Sequence, residues 1–224
     1  MSIRVLGICA TPVKGETTNT ESLLDAILDA AKARGEDIEV EKILLSEKKI
    51  VSGCDHCNFC LRRQTADKYC SKNDDMNEIY PKLKETDALI LATPVYFGRL
   101  SWLMAQFIDR LRCFGEGKYY GIRGPIGGIL KDKVFGCASV SWVRHAGIET
   151  AQLSMLSLPI FFGMIPVSGG GGYGVGGVSA SPLGEKVAIK KDVFALNAAQ
   201  RMGARVVEMA QIVKAGKEAI RNQK

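Results

Sequence analysis

The sequence predicts an α/β protein: a parallel sheet with helices packed on both faces. Three observations carry that expectation. Short apolar runs alternate with longer stretches whose apolar residues recur at i, i+3 and i+4, the pattern of repeated strand–helix units. Polar and glycine-containing turns separate the two kinds of segment. The chain has 224 residues, 46% of them hydrophobic, which suits one domain with an insertion, spanning residues 1–224.

The elements follow in order. Ile3 to Cys9 is an apolar run and reads as a buried strand. Asn19 to Arg34 reads as a helix, because Leu23, Leu24, Ile27, Leu28 and Ala31 share one face, and Gly35 stops it. Ile38 to Leu44 alternates as a strand. A cysteine-rich stretch, residues 50–73, has no hydrophobic period. Asp74 or Asp75 then caps a helix through Leu83. Ala88 to Ala92, Lys133 to Val140 and Ile160 to Val167 read as strands, and Leu100 to Cys113 and Ile148 to Leu158 as helices. A glycine-rich loop, residues 168–184, is expected to be conformationally free, and a last helix covers residues 185–218.

Composition narrows the function. Net charge is +6, with Lys and Arg spread along the sequence, which gives a weak preference for anions such as phosphates and no case for nucleic acid. The opening MSIRVLGICA is too short an apolar run for a signal peptide, and no run reaches the ~20 residues of a membrane span. Seven cysteines without an export signal point to a reducing cytoplasm, where clustered cysteines are metal ligands or catalytic groups.

Four of those cysteines, Cys54, Cys57, Cys60 and Cys70, are spaced C-x2-C-x2-C-x9-C. Thiols two residues apart cannot all pair as disulfides but can converge on one metal centre, and a compact run with a fourth Cys nearby is the ligand pattern of a [4Fe–4S] cluster. Zinc is a competing reading, although all-thiolate zinc sites usually use two separated pairs. Free or redox-active thiols are another. His56 lies inside the motif and reads as a spacer. Cys9, Cys113 and Cys137 sit in apolar contexts and read as small buried hydrophobes.

In such a sheet, ligands bind at the carboxyl ends of the strands. The loop after the first strand supplies Thr11, Lys14, Thr18, Asn19 and Thr20 and then opens a helix, whose N-terminus favours a phosphate. It lacks both the P-loop and the G-x-G-x-x-G pattern, and an ordinary capped polar loop is the plain alternative. The third-strand loop supplies Pro94, Tyr96, Phe97 and Gly98, a flat apolar wall suited to an isoalloxazine ring, although aromatics there also serve as core.

These motifs, taken in order, resemble the NADPH-dependent FMN reductase superfamily, and within it the iron–sulfur flavoproteins of anaerobes. The family's S-P-R-x-x-G-N-T loop is matched by Thr11-Pro12-Val13-Lys14 and Thr18-Asn19-Thr20. Its S-P-V-Y-x-G is matched by Thr93 to Gly98, its D-D-M by Asp74-Asp75-Met76, and its G-G-x-E-like turn by Ala146-Gly147-Ile148-Glu149. The match covers roughly residues 1–170. Two departures stand out. The gap before Cys70 is longer than the family's, with the surplus in residues 62–68, and Thr11 and Val13 replace the family's Ser and Arg.

The resemblance implies a flavodoxin-like, doubly wound five-stranded parallel sheet with a cluster-binding insertion after the second strand. It implies FMN bound by the residues above together with Ser139, Ser141, Trp142 and Gly147, and a [4Fe–4S] cluster on the four cysteines. The expected activity is electron transfer between a one-electron carrier such as ferredoxin, or NAD(P)H, and a small-molecule or protein acceptor, with no side chain needed as acid or base. A homodimer or homotetramer is expected. The alternatives are a clusterless NAD(P)H-dependent FMN or quinone reductase and a zinc-bearing flavodoxin-like binding module. His145 is a further candidate for steering a proton or phosphate.

Overall fold

A computed structural model describes residues 2–143, 146–170, 174–178 and 187–223. His145, much of the glycine-rich loop and the expected start of the last helix lie outside the described residues. In chain order the elements are β1 (Ile3–Cys9), α1 (Asn19–Lys32), β2 (Ile38–Leu44), α2 (Phe59–Arg63), α3 (Met76–Glu85), β3 (Ala88–Tyr96), β4 (Arg99–Leu100), α4 (Trp102–Arg110), α5 (Arg112–Gly115), β5 (Val134–Ser141), α6 (Ile148–Phe162), β6 (Ile165–Pro166), β7 (Val175–Val178) and α7 (Val193–Asn222). One-turn 3-10 helices occur at Leu45–Glu47 and Ala188–Lys191.

The sheet runs β2-β1-β3-β5-β6, with every neighbour on that path parallel. This is the flavodoxin-like order, with its switch of direction between β1 and β3. Side-chain alternation along each strand divides the core. Val5, Ile90 and Val134 face α1 and α7, whereas Leu6, Leu89, Leu91 and Phe135 face the α3, α4 and α6 side.

The described sheet has seven strands rather than the expected five, for two reasons. First, β3 runs past Pro94 and returns as β4 through a two-residue turn, pairing Tyr96 with Arg99. Phe97 and Gly98 both take positive φ, as a tight hairpin requires. Second, the fifth strand position is split. Ile160, Phe161 and Phe162 prolong α6, which ends at the left-handed Gly163, so β6 begins only at Ile165. β6 pairs with Val134 and Phe135, and β7 pairs further along β5 with Ala138 to Ser141.

Part of the tract expected to be free is therefore fixed in the sheet. A Cβ on Gly177 would stand 2.2 Å from Ile189 Cδ1, so this glycine serves close packing. Asp192 fastens the same region: its carboxylate accepts the Val178 N–H at 3.0 Å and caps α7 through the Ala195 N–H at 3.1 Å.

Helices α1 and α7 pack closely because Gly203 has no side chain. A Cβ there would lie 2.2 Å from the Ile27 carbonyl oxygen and 2.8 Å from the Ala30 Cβ. Gly203→Val is expected to lower stability by about 2–3 kcal/mol in urea unfolding. Gly216→Ala, on the same helix with nothing within 4 Å, is expected to raise it by about 0.5–1 kcal/mol.

Candidate functional site

The carboxyl ends of β1, β3 and β5 open into a cleft of about 460 Å³. Its walls are Thr11, Val13 and residues 16–20 on one side, Pro94, Val95 and Tyr96 on another, and Val140, Trp142 and Val187. Thr18 caps α1: its hydroxyl accepts the Glu21 N–H at 3.2 Å. The Asn19 and Thr20 amides lie in the first turn, where helix geometry provides no acceptor. Asn19 Oδ1 accepts the Ile189 N–H at 2.8 Å and ties the loop to the segment before α7. Thr11 Oγ1 accepts the Val13 N–H at 3.4 Å. Opposite these polar groups, Tyr96 and Trp142 are 42% and 70% exposed.

Amide and hydroxyl donors at a helix N-terminus on one side, with aromatic surface on the other, fit a phosphate joined to a planar ring. Lys14 is exposed and outside the lining. Phe97 and Gly98 form the hairpin tip and are also outside it. Ser139 and Ser141 are buried and bound to backbone, Ser139 Oγ donating to the Ile148 carbonyl at 3.3 Å and Ser141 to that of Val143. Gly147 has φ +91°, and a Cβ on it would come within 2.3 Å of Gly98 Cα. These two glycines press the hairpin against the start of α6.

One anchor of this edge was not anticipated. Ser101, fully buried, donates to the Ala10 carbonyl at 2.8 Å, caps α4 through the Met104 N–H at 3.3 Å, and gives its own N–H to Thr93 Oγ1 at 3.0 Å. It joins the first loop, β3 and α4 at one atom cluster. The signal was a serine immediately before a helical run.

The cysteine stretch lies between β2 and α3 and is fixed by the D-D-M segment. Asp74 and Arg110 form a two-pronged ion pair at 2.6 and 3.1 Å, with side chains 0% and 1% exposed. Asp74 also accepts the Val51 and Met76 amides, and Arg110 donates to the Ser52 carbonyl at 3.2 Å. Asp75 accepts the Lys49 N–H at 2.7 Å. The chain entering the motif is thereby held at Lys49, Val51 and Ser52.

Cys54, Cys57, Cys60 and Cys70 line one small cavity, together with Lys72, Arg110, Arg112 and Cys113. The backbone turns left-handed at His56 (φ +54°) and Asn58 (φ +58°), on either side of Cys57. Turns of that kind aim successive N–H groups into a concavity and favour anions. Ser71 Oγ lies 3.2 Å from Cys57 Sγ. The Ser71 hydroxyl and the Phe59 amide hold the Cys57 thiol below its ordinary pKa, whereas burial raises that of Cys60. Arg112 Nη1 stands 3.9 Å from Cys54 Sγ. Arg110 Nε is buried and meets no acceptor among the described residues.

The remaining cysteines differ sharply. Burial pushes Cys9 and Cys137 up to about 12, and Cys113 well above the ordinary thiol value. Four thiols at one cavity, lined also by Lys72, Arg110 and Arg112 against Asp55 and Asp109, suit an anionic thiolate-ligated group. Among the described residues, no three Cys, His, Asp or Glu side chains converge as ligands of a single ion.

The floor under Cys60 and Cys70 is aromatic and braced by one amide. Tyr69 stacks on Tyr80 and Tyr120 at 5.1 and 4.7 Å between ring centroids. Gln64, buried, donates to the Tyr69 and Cys113 carbonyls and accepts the Tyr119 and Tyr120 amides, all within 3.2 Å. A groove lined by Gly53, Arg99, Leu100, Trp102 and Asp109 runs from beside Cys54 to the β3–β4 hairpin.

The model of the NADPH-dependent FMN reductase family matches residues 3–173. An iron–sulfur flavoprotein of Archaeoglobus fulgidus is 30% identical over 218 residues, covering 95% of this chain and 98% of that one. An iron–sulfur flavoprotein of Methanocaldococcus jannaschii is 32% identical over 215 residues, covering 95% and 100%. Among solved structures, RosB with bound 8-demethyl-8-formylriboflavin-5'-phosphate has a TM-score of 0.70 at 16% identity, covering 100% of this chain and 88% of that one, a likeness of fold. The chain belongs to the NADPH-dependent FMN reductase family, several of its relatives are named iron–sulfur flavoproteins, and it is a flavin-dependent oxidoreductase.

The ion pair gives a direct test. Asp74→Asn leaves the Arg110 charge buried and uncompensated, an expected loss of about 3–5 kcal/mol. Burial raises the Asp74 pKa, but the Arg110 hydrogen bonds and the Val51 amide outweigh it and hold it below the ordinary carboxylate value. The stabilisation is therefore complete above the unfolded carboxylate value of about 3.9 and is lost as pH falls through the lower folded one. Urea titrations across that range should show the wild type losing stability with acid more steeply than the variant.

Proposed function

We propose that this oxidoreductase binds FMN in the cleft at the strand ends and a [4Fe–4S] cluster on Cys54, Cys57, Cys60 and Cys70, and passes electrons between a one-electron carrier such as ferredoxin and a two-electron acceptor. The observation that carries the reading is the meeting of those four cysteines at one cavity beside Arg112 and the Arg110 Nε that meets no acceptor among the described residues. When bound, the cluster supplies single-electron exchange, and the flavin supplies two-electron exchange with two protons.

The chain's own contribution is binding and orientation. Thr11, Thr18, Asn19, Thr20 and the first amides of α1 hold the phosphate, with Lys14 adding charge at the mouth. Pro94, Tyr96 and Trp142 frame the ring. Phe97, Gly98, Ser139, Ser141 and Gly147 shape the loops behind it. The Arg110 Nε and Arg112 Nη1 N–H groups would donate to a thiolate-ligated cluster, and the Ser71 hydroxyl and Phe59 amide support the Cys57 thiolate. No side chain in the cleft is required as acid or base.

Anaerobically purified protein is expected to contain about four iron, four sulfide and one FMN per chain, and Cys57→Ser to lose most of the iron while keeping FMN. FMN without iron, rapidly reduced by NADPH, would instead identify a clusterless NAD(P)H-dependent FMN or quinone reductase. One zinc per chain without flavin would identify a binding module. Gly147→Ala pushes a methyl group into the hairpin backbone, and it is expected to weaken FMN binding by about tenfold or more in fluorescence titrations, with iron content unchanged.

A further inference from the structure

A second cavity, of about 530 Å³, opens on the outer side of Cys60 and takes no part in the sites above. Its apolar lining is Leu61, Ile122 and Phe161, which are 47%, 44% and 55% exposed. Leu61 directly follows Cys60, and the Lys118 N–H donates to the Cys60 carbonyl at 2.8 Å, so this wall is continuous with the cysteine motif. Phe161 lies in the last turn of α6, just before β6 pairs with Val134 at the start of β5. The cavity thus sits toward the amino ends of the strands, away from the FMN cleft.

The charge around it is one-sided. Of the charged residues that line it, two are basic, Lys118 and Arg123, and one is acidic, Glu116. Lys118 and Arg123 line the cavity and make no ion pair with the described residues, whereas Glu116 is held by Arg112 at 2.6 Å. An apolar centre with an unpaired basic rim steers and seats a partner of opposite charge. A second copy of this chain in a two-fold contact would bring the same basic rim against itself, which opposes that occupant.

We propose that this face, centred on Leu61 and Phe161 and rimmed by Lys118 and Arg123, docks an acidic protein carrying a one-electron centre. The inference rests on the cluster reading above and adds where the carrier binds. With a cluster held by the four cysteines, one electron would pass from the partner's centre through the Cys60 side, with no bond formed or broken and no proton moved. The carrier and the flavin's acceptor then use opposite ends of the sheet and do not compete for one surface.

The test compares wild type with a Lys118→Glu, Arg123→Glu double variant in stopped-flow reduction by a small acidic ferredoxin and, separately, by dithionite. The second-order rate constant with ferredoxin is expected to fall by about tenfold or more at low salt and to converge with wild type at high salt, with the dithionite rate unchanged. An unchanged ferredoxin rate, or an equal loss with dithionite, overturns the proposal. So does sedimentation showing that the wild type is an oligomer that the variant dissociates, because the face then joins copies of this chain. Iron and sulfide assays on the same samples test the cluster itself. Calorimetric binding of gallium-substituted, redox-inert ferredoxin tests the docking face without it: binding to wild type and not to the variant is expected, and equal binding to both, or to neither, overturns it.

Discussion

Asp74 and Arg110 are both out of contact with water, and a buried ion pair is tolerable only when it is complete. Replacing such a pair by apolar groups is often neutral or stabilising, so its value lies in the geometry that it enforces. Here the carboxylate also takes the Val51 and Met76 amides, and the guanidinium takes the Ser52 carbonyl. The start of α3, the end of α4 and the approach to Cys54 are thereby tied to one point. A chain stretch without hydrophobic period is thereby ordered at its entry by a few obligatory polar contacts, while Tyr69 anchors its far end in the core.

Helix α4 then acts as a spacer between the two candidate sites. Its capping residue, Ser101, is fastened to the first loop and to β3 at the cleft, and its last residue, Arg110, is fastened at the cysteine cavity. Nine helical residues at the helical rise span about 14 Å. Both ends are fixed by buried hydrogen bonds, so the spacing does not depend on loop conformation. Rigid separation of that kind keeps the two candidate sites in a constant relation while their loops accommodate ligands.

Much of this was legible in the sequence. β1 and β2 coincide with the predicted strands, because both are short runs bounded by clear turns, and the cysteine spacing singled out the residues that line one cavity. The split fifth strand was not legible. Ile160-Phe161-Phe162 reads equally as a strand or as a helix end, and the decision falls to Gly163, whose positive φ closes α6. Nor was the paired part of the glycine tract, since glycine in a sequence signals freedom and close packing alike. The supporting role of Gly147 depends on its approach to Gly98, a long-range contact that local patterns do not encode. The same holds for the basic face: only folding brings Leu61 and Phe161 beside Lys118 and Arg123.

The Gln64 brace has a consequence for chain length. Its side chain spans from its own backbone to the Tyr69 carbonyl, and the four residues between form a small turn closed by the Thr65 N–H to the Lys68 carbonyl at 3.3 Å. The turn is pinched at its neck, and the Tyr120 hydroxyl touches it at the Ala66 carbonyl. Residues can be gained or lost within it while Cys60 and Cys70 stay in place. The interval before the last cysteine can thus change in length within a sealed loop without rebuilding what the cysteines surround.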